Sequence, residues 1–247
     1  MKKEIYINES MGETRIAILE DSQLVEVYIE KQDKHRMVGN VYRGVVENVL
    51  PGMQAAFVDI GFDINAFLPF TEIQNNKYLD ETDSDEHHNK NNRNHGSIKV
   101  DLHTGQEIFV QVIKEPFAGK GPRVTTEIAL PGRLLVLVPN AKYIGISKKM
   151  WDKYERRRLK KIANSLKEDN LGLIIRTVAE GKSEEQLTND YKTLIKKWRT
   201  LENKTKRAKA PCIVYEDLET ASSVIRDLFS SDVEKIVIDS KKLYRKT

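Results

Sequence analysis

Two neighbouring side chains near the end of an apolar run are the first candidates for chemistry in this sequence. In the stretch LGLIIRTVAEG, Arg176 and Thr177 follow three apolar residues, so that a guanidinium and a hydroxyl stand side by side. Such a pair suits an anion pocket, because a planar guanidinium binds two oxygens of one anion at once. It equally suits a strand end at which Arg176 pairs with a carboxylate, and the residue types alone leave both interpretations open.

A second candidate pair is aromatic. Phe57 in AAFVDIG and Phe67 in NAFLPF lie in two successive runs of strand type. Proteins that bind single-stranded nucleic acid stack bases on exposed rings and place basic side chains beside them. Lys114, Lys120 and Arg123 belong to a later strand-like run and the loop after it, and they are candidates for the basic role. Burial of either ring in the core is the competing interpretation, and it is the commoner fate of a single Phe in a strand.

Other reactive residue types form no recognisable catalytic motif. Three histidines lie with several acidic residues in an Asn-rich stretch, where nothing fixes a coordination geometry; they are His87, His88 and His95. Four aspartates are nuclease candidates by residue type only: Asp59, Asp190, Asp217 and Asp239. The sequence contains no glycine-rich phosphate loop, activated serine motif or HExxH motif. We therefore assign neither a metal site nor catalytic residues.

The composition favours a cytoplasmic protein. A single cysteine, Cys212, excludes a disulfide framework and a cysteine-based zinc site within the chain. No apolar run approaches the roughly 20 residues of a membrane span. The N-terminal lysines are not followed by an apolar segment, so we expect no signal peptide.

Basic residues are concentrated in two segments, although the net charge is only +4 from 41 basic and 37 acidic side chains. Residues 148–167 and 192–209 are much more basic than the rest of the chain. Such clustering is typical of proteins that bind a polyanion such as nucleic acid. Two solvated helix faces would give the same pattern, so the composition leaves both interpretations open.

Alternation of apolar and polar residues predicts the elements that must position these side chains. Residues 2–30 are expected to form two or three strands. Residues 37–131 show five short strands with long loops, which is the pattern of a small OB-type barrel. Between residues 74 and 100 this pattern gives way to a polar segment that we expect to be disordered.

The rest of the chain mixes strands with helices. Residues 132–208 contain the strands RLLVLVP and LGLIIRT and two helices, the second beginning at a capping box of Ser183 and Gln186. Residues 209–247 contain the strand CIVYED, a helix near 218–228 and the strand EKIVIDS, which we expect to form a β-α-β unit. Neither end is sufficient for a domain by itself, so we expect both ends to share one sheet.

Three stretches, in the same order, resemble the ribonuclease E/G family. They are GNVYRGVVENVLPGMQAAFVDIGFDINAFLPF at 39–70, RLLVLVPNAKYIGISKK at 133–149 and GLIIRTVAEGKS at 172–183. The resemblance implies a mixed α+β fold, in which an RNase H-like subdomain is split by an inserted S1-type OB barrel and an inserted α/β 5′-sensor subdomain. The four segments would be, in chain order, 1–36, 37–131, 132–208 and 209–247, with the first and last forming the RNase H-like subdomain.

In the barrel, the resemblance assigns the two phenylalanines. It implies that Phe57 and Phe67 stack RNA bases and that Lys120 belongs to the same surface, where Lys114 remains a candidate by type and position. The implied partner is single-stranded RNA, preferably 5′-monophosphorylated. The implied activity of the full-length family member is single-strand-specific endoribonuclease cleavage in RNA processing and decay. The alternative is a stand-alone, non-catalytic RNA-binding or regulatory protein.

In the 5′-sensor segment, the resemblance implies a pocket for a 5′-monophosphate. Arg176 and Thr177 would bind the phosphate, and the main chain near Gly132 and Val136 would shape the pocket. Lys148 stands where the family has an arginine after GIS. A lysine keeps the charge and loses the planar fork.

The resemblance implies magnesium and zinc for the full-length family member and not for this chain. In the family, two aspartates of a DNase I-like subdomain hold the catalytic magnesium, and a Cys-Pro-x-Cys motif holds a zinc that joins subunits. The chain ends at Thr247 without matching positions. We therefore expect no catalytic residues and no cleavage from this chain alone, and a homo-oligomer for the full-length member.

Overall fold

The two ends of the chain form one structural unit, and its middle forms another. The first unit comprises residues 1–36 and 217–247, and the second comprises residues 37–216. The computed structural model describes residues 2–10, 12–31, 36–74, 101–206, 208–217 and 233–246. Apart from Gln74, the expected disordered insert lies outside these residues, as does the expected helix near 218–228.

The first unit is a four-stranded sheet that contains both chain ends. Its strands, in the order β14-β1-β2-β3, have the bounds β1 Lys3–Ser10, β2 Glu13–Glu20, β3 Gln23–Lys31 and β14 Val233–Ile238. The parallel pairing of β1 with β14 joins the two ends in one sheet, as their sequences led us to expect. Isoleucines at alternate positions of β1 and β2 form the core with Leu243 of the short helix α3, Lys241–Lys246.

The second unit begins with a five-stranded barrel. Its strands are β4 Val41–Leu50, β5 Ala55–Asp59, β6 Ala66–Pro69, β7 Glu107–Lys114 and β8 Arg123–Thr125. They lie in the order β4-β5-β6-β8-β7, and the pairing of β4 with β7 closes the barrel. Inward-pointing side chains form an apolar core that includes Val46, Val58, Leu68, Val112 and Val124. The expected OB-type barrel is confirmed here.

A mixed sheet with two helices follows the barrel. Its strands, in the order β11-β12-β10-β9, are β9 Leu130–Pro131, β10 Leu135–Pro139, β11 Ile144–Ile146 and β12 Leu171–Ile175. The helices are α1 Lys153–Leu166 and α2 Glu184–Thr205. Asp152 caps α1, and both reciprocal hydrogen bonds of the expected Ser183–Gln186 capping box are present in α2. The apolar stripes of the two helices share one core with this sheet.

The strand CIVY lies elsewhere than its sequence position suggested. We expected it to join EKIVIDS in a terminal β-α-β unit, and this expectation was wrong. The strand, β13 Cys212–Tyr215, pairs antiparallel with β4 of the barrel strands. The guanidinium of Arg43 in β4 also donates hydrogen bonds to the carbonyls of Thr205 and Ala208. An apolar run specifies a strand but not its partner, because the backbone groups of every strand edge are alike.

The described residues therefore form a mixed α+β fold in which strands predominate. The barrel and the mixed sheet are the parts that carry the candidate site residues. Over the ranges that the structure covers, none of the helices combines the length and the apolar character needed to cross a membrane.

Gly44 tests the packing of the barrel. It is buried in β4, and a Cβ atom there would lie 2.6 Å from Val58 Cγ1 and 2.7 Å from the carbonyl oxygen of Asp59. We predict that Gly44→Ala lowers the free energy of unfolding by about 1 to 3 kcal/mol, because a backbone atom cannot yield to the added methyl. Urea unfolding followed by tryptophan fluorescence measures this, since both tryptophans lie in the second unit.

The matched control is Gly52→Ala. A Cβ atom at Gly52 meets nothing within 4 Å, and its backbone does not have a positive φ. This variant should unfold at the same urea concentration as the unsubstituted chain. Equal stability of both variants would contradict the packing argument.

Candidate functional site

A row of four side chains crosses the outer surface of the barrel. Phe57 is paired with Phe67 across β5 and β6, Phe67 with Arg123 of β8, and Arg123 with Lys114 of β7. The centroids of the two rings are 5.8 Å apart, with an angle of 59° between the ring planes. Because strand side chains alternate between faces, both rings point away from the core residues beside them. The two phenylalanines are half-buried at the surface and do not belong to the core.

The basic end of this row is partly fixed. The guanidinium of Arg123 donates a 2.8 Å hydrogen bond to Oε1 of Glu72, which holds it beside Phe67. Lys114 is exposed and pairs with no carboxylate among the residues that the structure describes. The row therefore presents two rings and two cations side by side.

Lys120 lies at the tip of the hairpin between β7 and β8, next to an aromatic residue that the sequence did not single out. Phe117 and Lys120 exchange two backbone hydrogen bonds of 3.2 and 3.0 Å, so their side chains lie on the same face. The turn between them has positive φ at Ala118 (50°) and Gly119 (75°), as a two-residue hairpin of type I′ requires. The ring of Phe117 is 82% exposed.

The hairpin is held against β6. The backbone N–H of Phe67 donates a 2.8 Å hydrogen bond to the carbonyl of Pro122. A Cβ atom at Gly121 would lie only 2.0 Å from the carbonyl oxygen of Asn65, so the two segments touch through their main chains. Phe117 and Lys120 are thus carried by the segment that runs beside Phe67.

The second candidate site lies at the carboxyl ends of two parallel strands. β11 and β12 are paired in parallel, with Ile146 opposite Ile175. Ser147 and Thr177 follow these strands, and their hydroxyl oxygens are 3.2 Å apart. Ser147 was not among the expected site residues. The sequence does contain a signal for it. A polar residue directly follows the apolar strand β11, just as Arg176 and Thr177 follow the apolar strand β12.

Arg176 is held by main-chain groups of the turn before β10. Its backbone N–H donates to the carbonyl of Leu134 at 2.9 Å. Its Nη1 atom donates to the carbonyls of Gly132 at 2.8 Å and, more weakly, of Arg133 at 3.4 Å. The guanidinium is half-buried beside this turn, and Thr177 follows it at the start of a short 3-10 helix.

Asp190 of α2 fixes the same turn from the other side. Its carboxylate accepts backbone hydrogen bonds from Arg133, Leu134 and Leu135, at 3.1, 2.8 and 2.9 Å. A Cβ atom at Gly132 would lie 2.7 Å from Asp190 Oδ2, so only glycine permits this approach. Asp190 therefore positions the main chain of this turn. Its residue type alone does not predict that role.

The other expected residues lie nearby or serve as turn groups. Val136 is half-buried in β10, where its backbone pairs with Ile174 and Pro131. Lys148 follows Ser147 and is exposed. Asp59 accepts a 2.8 Å hydrogen bond from the backbone N–H of Gly61 and so caps a turn.

An ion pair ties α1 to the segment after Thr177. Arg158 donates two hydrogen bonds to the carboxylate of Glu155, at 2.7 and 2.6 Å, and one to the carbonyl of Lys182 at 2.8 Å. Oε1 of Glu155 also accepts from the backbone N–H of Gly181 at 2.8 Å. The hydrogen bond from Arg158, aided by that from Gly181 and opposed by burial, lowers the pKa of Glu155 from 4.5 to about 2.

Part of the second basic cluster borders a groove between α2 and β13. The groove has a volume of about 540 Å³ and is lined on the helix by Lys196, Lys197 and Lys204. Thr193 and Thr200 of the same helix also line the groove. The clustering predicted from the sequence therefore corresponds, in part, to one face of α2.

No metal site is assigned to the residues that the structure describes. Within them, no three His, Cys, Asp or Glu side chains lie together in a way that could hold a metal ion. The His-containing stretch around His87 and His88 is outside the described ranges.

Comparison with known proteins identifies the family. The Ribonuclease E/G family model matches residues 129–247, and the S1 RNA binding domain model matches residues 35–125. Ribonuclease G of Salmonella typhimurium (strain SL1344) is 38% identical over 244 residues, which cover 99% of this chain. The chain belongs to the ribonuclease E/G family. Ribonuclease G of Haemophilus influenzae is 40% identical over 96% of the chain, and Ribonuclease E of a Nostoc species is 36% identical over 92%.

The match covers only part of these family members. The aligned region spans 49% of the Salmonella protein, 48% of the Haemophilus protein and 32% of the Nostoc protein. The chain thus spans about half the length of the ribonuclease G relatives. The S1 match includes all five barrel strands, so the expected S1-type barrel is confirmed.

The Glu155–Arg158 pair generates a pH-dependent prediction. The pKa of Glu155 is lower in the folded chain than its ordinary 4.5, so its stabilisation is fully present above about pH 4.5 and is lost as the pH falls towards about 2. We predict that Glu155→Gln lowers the free energy of unfolding by roughly 1 kcal/mol at pH 7, a value that allows for the partial exposure of Arg158. The difference from the unsubstituted chain should shrink at pH 3 in urea titrations.

Glu202→Gln serves as the control for this prediction. Glu202 is an exposed carboxylate of α2 and forms no ion pair with the described part of the chain. Its replacement should change stability equally little at both pH values. A stability difference for Glu155→Gln that stays constant from pH 7 to pH 3 would refute the role given to its ionised form.

Proposed function

We propose that this chain binds single-stranded RNA on its S1-type barrel and senses a 5′-monophosphate beside Arg176 and Thr177. It would be the RNA-recognition portion of a ribonuclease E/G type endoribonuclease that acts in RNA processing and decay. The observation that carries the proposal is the row of Phe57, Phe67, Arg123 and Lys114 on the outer face of the barrel. The family match favours this function over a stand-alone regulatory module.

The row suits single-stranded RNA because its rings would contact the bases and its cations would contact the phosphates. Each base stacked on an aromatic ring contributes about 1 to 3 kcal/mol and does so with little regard to sequence. Lys114 and Lys120 would bind the phosphate backbone and release its counterions. Phe117, on the same face as Lys120, adds a further exposed ring at the hairpin tip.

The pocket at the ends of β11 and β12 suits a terminal monophosphate. Such a phosphate has three terminal oxygens and a charge of about −1.5 to −2, whereas an internal phosphodiester has a single charge. The guanidinium of Arg176 would grip two oxygens, and the hydroxyl of Thr177 would donate to a third. Ser147, 3.2 Å from Thr177, would orient that hydroxyl, and Lys148 would supply a point charge.

The same pocket would distinguish the possible ends of an RNA. A 5′-hydroxyl end offers no anion to Arg176, and a 5′-triphosphate is larger than a monophosphate and would need more room beside the guanidinium. The carbonyl of Gly132 would keep Arg176 in place, and the main chain from Gly132 to Val136 would border the terminal nucleotide. Asp190 would keep this border fixed through its three backbone hydrogen bonds.

Other properties of the full-length protein stay predictions. The RNase H-like and 5′-sensor identities of the flanking segments rest on the family resemblance. So do magnesium-dependent cleavage, a structural zinc, a homo-oligomer and a cytoplasmic location.

The first test concerns the aromatic row. We predict that Phe57→Ala and Phe67→Ala each weaken binding of a single-stranded RNA roughly 5- to 100-fold, because each removes one stacking ring. Fluorescence anisotropy with a labelled oligonucleotide measures the dissociation constants. The control is Phe109→Ala, which removes a more exposed ring of the same barrel from the other end of β7. An equal loss in all three variants would mean that the row is not the binding surface.

The second test concerns the pocket. We predict that Arg176→Ala abolishes the preference for 5′-monophosphorylated over 5′-hydroxyl RNA, and that Arg176→Lys restores only part of it, because a lysine has no planar fork. The measurement is the ratio of the dissociation constants for 5′-hydroxyl and 5′-monophosphorylated RNA. Any effect of the substitution on overall RNA binding cancels in this ratio. Arg15→Ala, at an exposed arginine of the first unit, should leave the ratio unchanged. A preference retained in Arg176→Ala would place the pocket elsewhere.

A further inference from the structure

Two aromatic side chains near Ser147 are almost completely exposed. Trp151 is 86% exposed and Tyr154 is 82% exposed. The other tryptophan, Trp198, is partly buried and packs against the core of the mixed sheet. An indole left in water forgoes a large burial free energy. Two exposed rings three residues apart in the chain are therefore candidates for an interaction surface.

The backbone around Trp151 is fixed, although its ring is free. The N–H of Met150 donates to the carbonyl of Ser147 at 3.1 Å, which closes a turn. Nη1 of Arg156 donates to the carbonyls of both residues, at 3.0 Å to Ser147 and 3.2 Å to Met150. On the other side of Trp151, Asp152 caps α1 by accepting from the N–H of Tyr154 at 2.8 Å.

This turn places Trp151 close to the pocket. The ends of such a turn are less than about 7 Å apart between Cα atoms, and one further residue adds about 3.8 Å. The Cα atom of Trp151 therefore lies within about 11 Å of that of Ser147, whose hydroxyl contacts Thr177. A separation of this size is on the scale of one or two nucleotides.

The surroundings of these rings are strongly basic. Lys148, Lys149, Lys153 and Arg157 are all exposed, and none forms an ion pair with a carboxylate of the described residues. Of the two acidic side chains here, Glu155 is paired with Arg158, and Asp152 caps α1 by accepting from the N–H of Tyr154. Rings with unneutralised cations around them are the combination that single-stranded nucleic acid binders use.

We propose that Trp151 and Tyr154, with Lys148, Lys149 and Lys153, form an aromatic lip that stacks the bases nearest the 5′ end of the bound RNA. This inference rests on the proposed function, because the pocket beside Thr177 would hold the terminal phosphate. The lip gives the sensor a contact to bases in addition to its contact to phosphate. Trp151 is the principal stacking residue, since it has the larger ring and lies nearer to Ser147 along the chain.

A membrane surface fits the same residues less well. Tryptophan and lysine do occur together in helices that lie on membranes, but such helices also expose an apolar face. The apolar stripe of α1 is buried in the core of the mixed sheet through Leu159, Ile162 and Ala163. The exposed aromatic rings lie only at the start of the helix. The lip is therefore large enough to contact one or two nucleotides but lacks the long apolar face that a membrane surface requires.

The test uses four oligonucleotides of one length with a label at the 3′ end. Two carry a 5′-monophosphate and two a 5′-hydroxyl, and within each pair one oligonucleotide lacks the bases of its first two nucleotides. We expect Trp151→Ala to weaken binding of the oligonucleotides with bases roughly 5- to 100-fold and to leave the abasic ones almost unchanged. Trp151→Phe should retain most of the affinity.

Two further measurements complete this test. Binding of an RNA with bases should quench the tryptophan fluorescence of the unsubstituted chain but not that of Trp151→Phe, which still contains Trp198. Tyr244→Ala, at a 72% exposed tyrosine of the first unit, is the matched control and should bind all four oligonucleotides normally.

The outcomes separate the lip from the pocket. Equal losses for normal and abasic oligonucleotides, or no loss at all, would overturn the lip. Binding of anionic lipid vesicles that depends on Trp151, without the base effect, would overturn it in favour of a membrane surface. Failure of the pocket proposal has a different signature, because it removes the difference between 5′-monophosphate and 5′-hydroxyl in every protein variant.

Discussion

The register of strand pairing is the constraint on which both candidate sites depend. Side chains alternate between the faces of a strand, so a slip of one residue would turn a surface residue into the core. In the barrel, the register that sets Phe57 beside Phe67 also points both rings outward. In the mixed sheet, the register that sets Ile146 beside Ile175 brings the polar residues after both strands to the same edge.

Around the second candidate site, side chains hold main chain, and main chain in turn holds Arg176. Asp190 accepts three backbone N–H groups of the turn whose carbonyl groups orient Arg176. Glu155 and Arg158 do the same for the segment after Thr177 through Gly181 and Lys182. Charged residues that residue type alone would assign to catalysis or RNA binding thus serve to hold the main chain in place.

Much of the fold could be predicted because its signals are local. The capping box at Ser183 and the alternating strands of the barrel depend on neighbours only a few residues away. The pairing of Cys212–Tyr215 with β4 could not be predicted in this way. Its hydrogen bonds join residues far apart in the sequence, and the run CIVY is equally compatible with any free strand edge.

By itself, the sequence determined which residue types stand at strand ends and where apolar and polar residues alternate. It also carried the family resemblance. All of these are properties of short stretches of the chain. Only the tertiary structure decided that Ser147 meets Thr177, that Asp190 is a main-chain support, and that Phe117 and Trp151 remain in solvent while Trp198 packs in the core. The physical reason is that exposure and contact depend on which distant segments pack together. An aromatic residue becomes a binding surface only where no other part of the fold covers it.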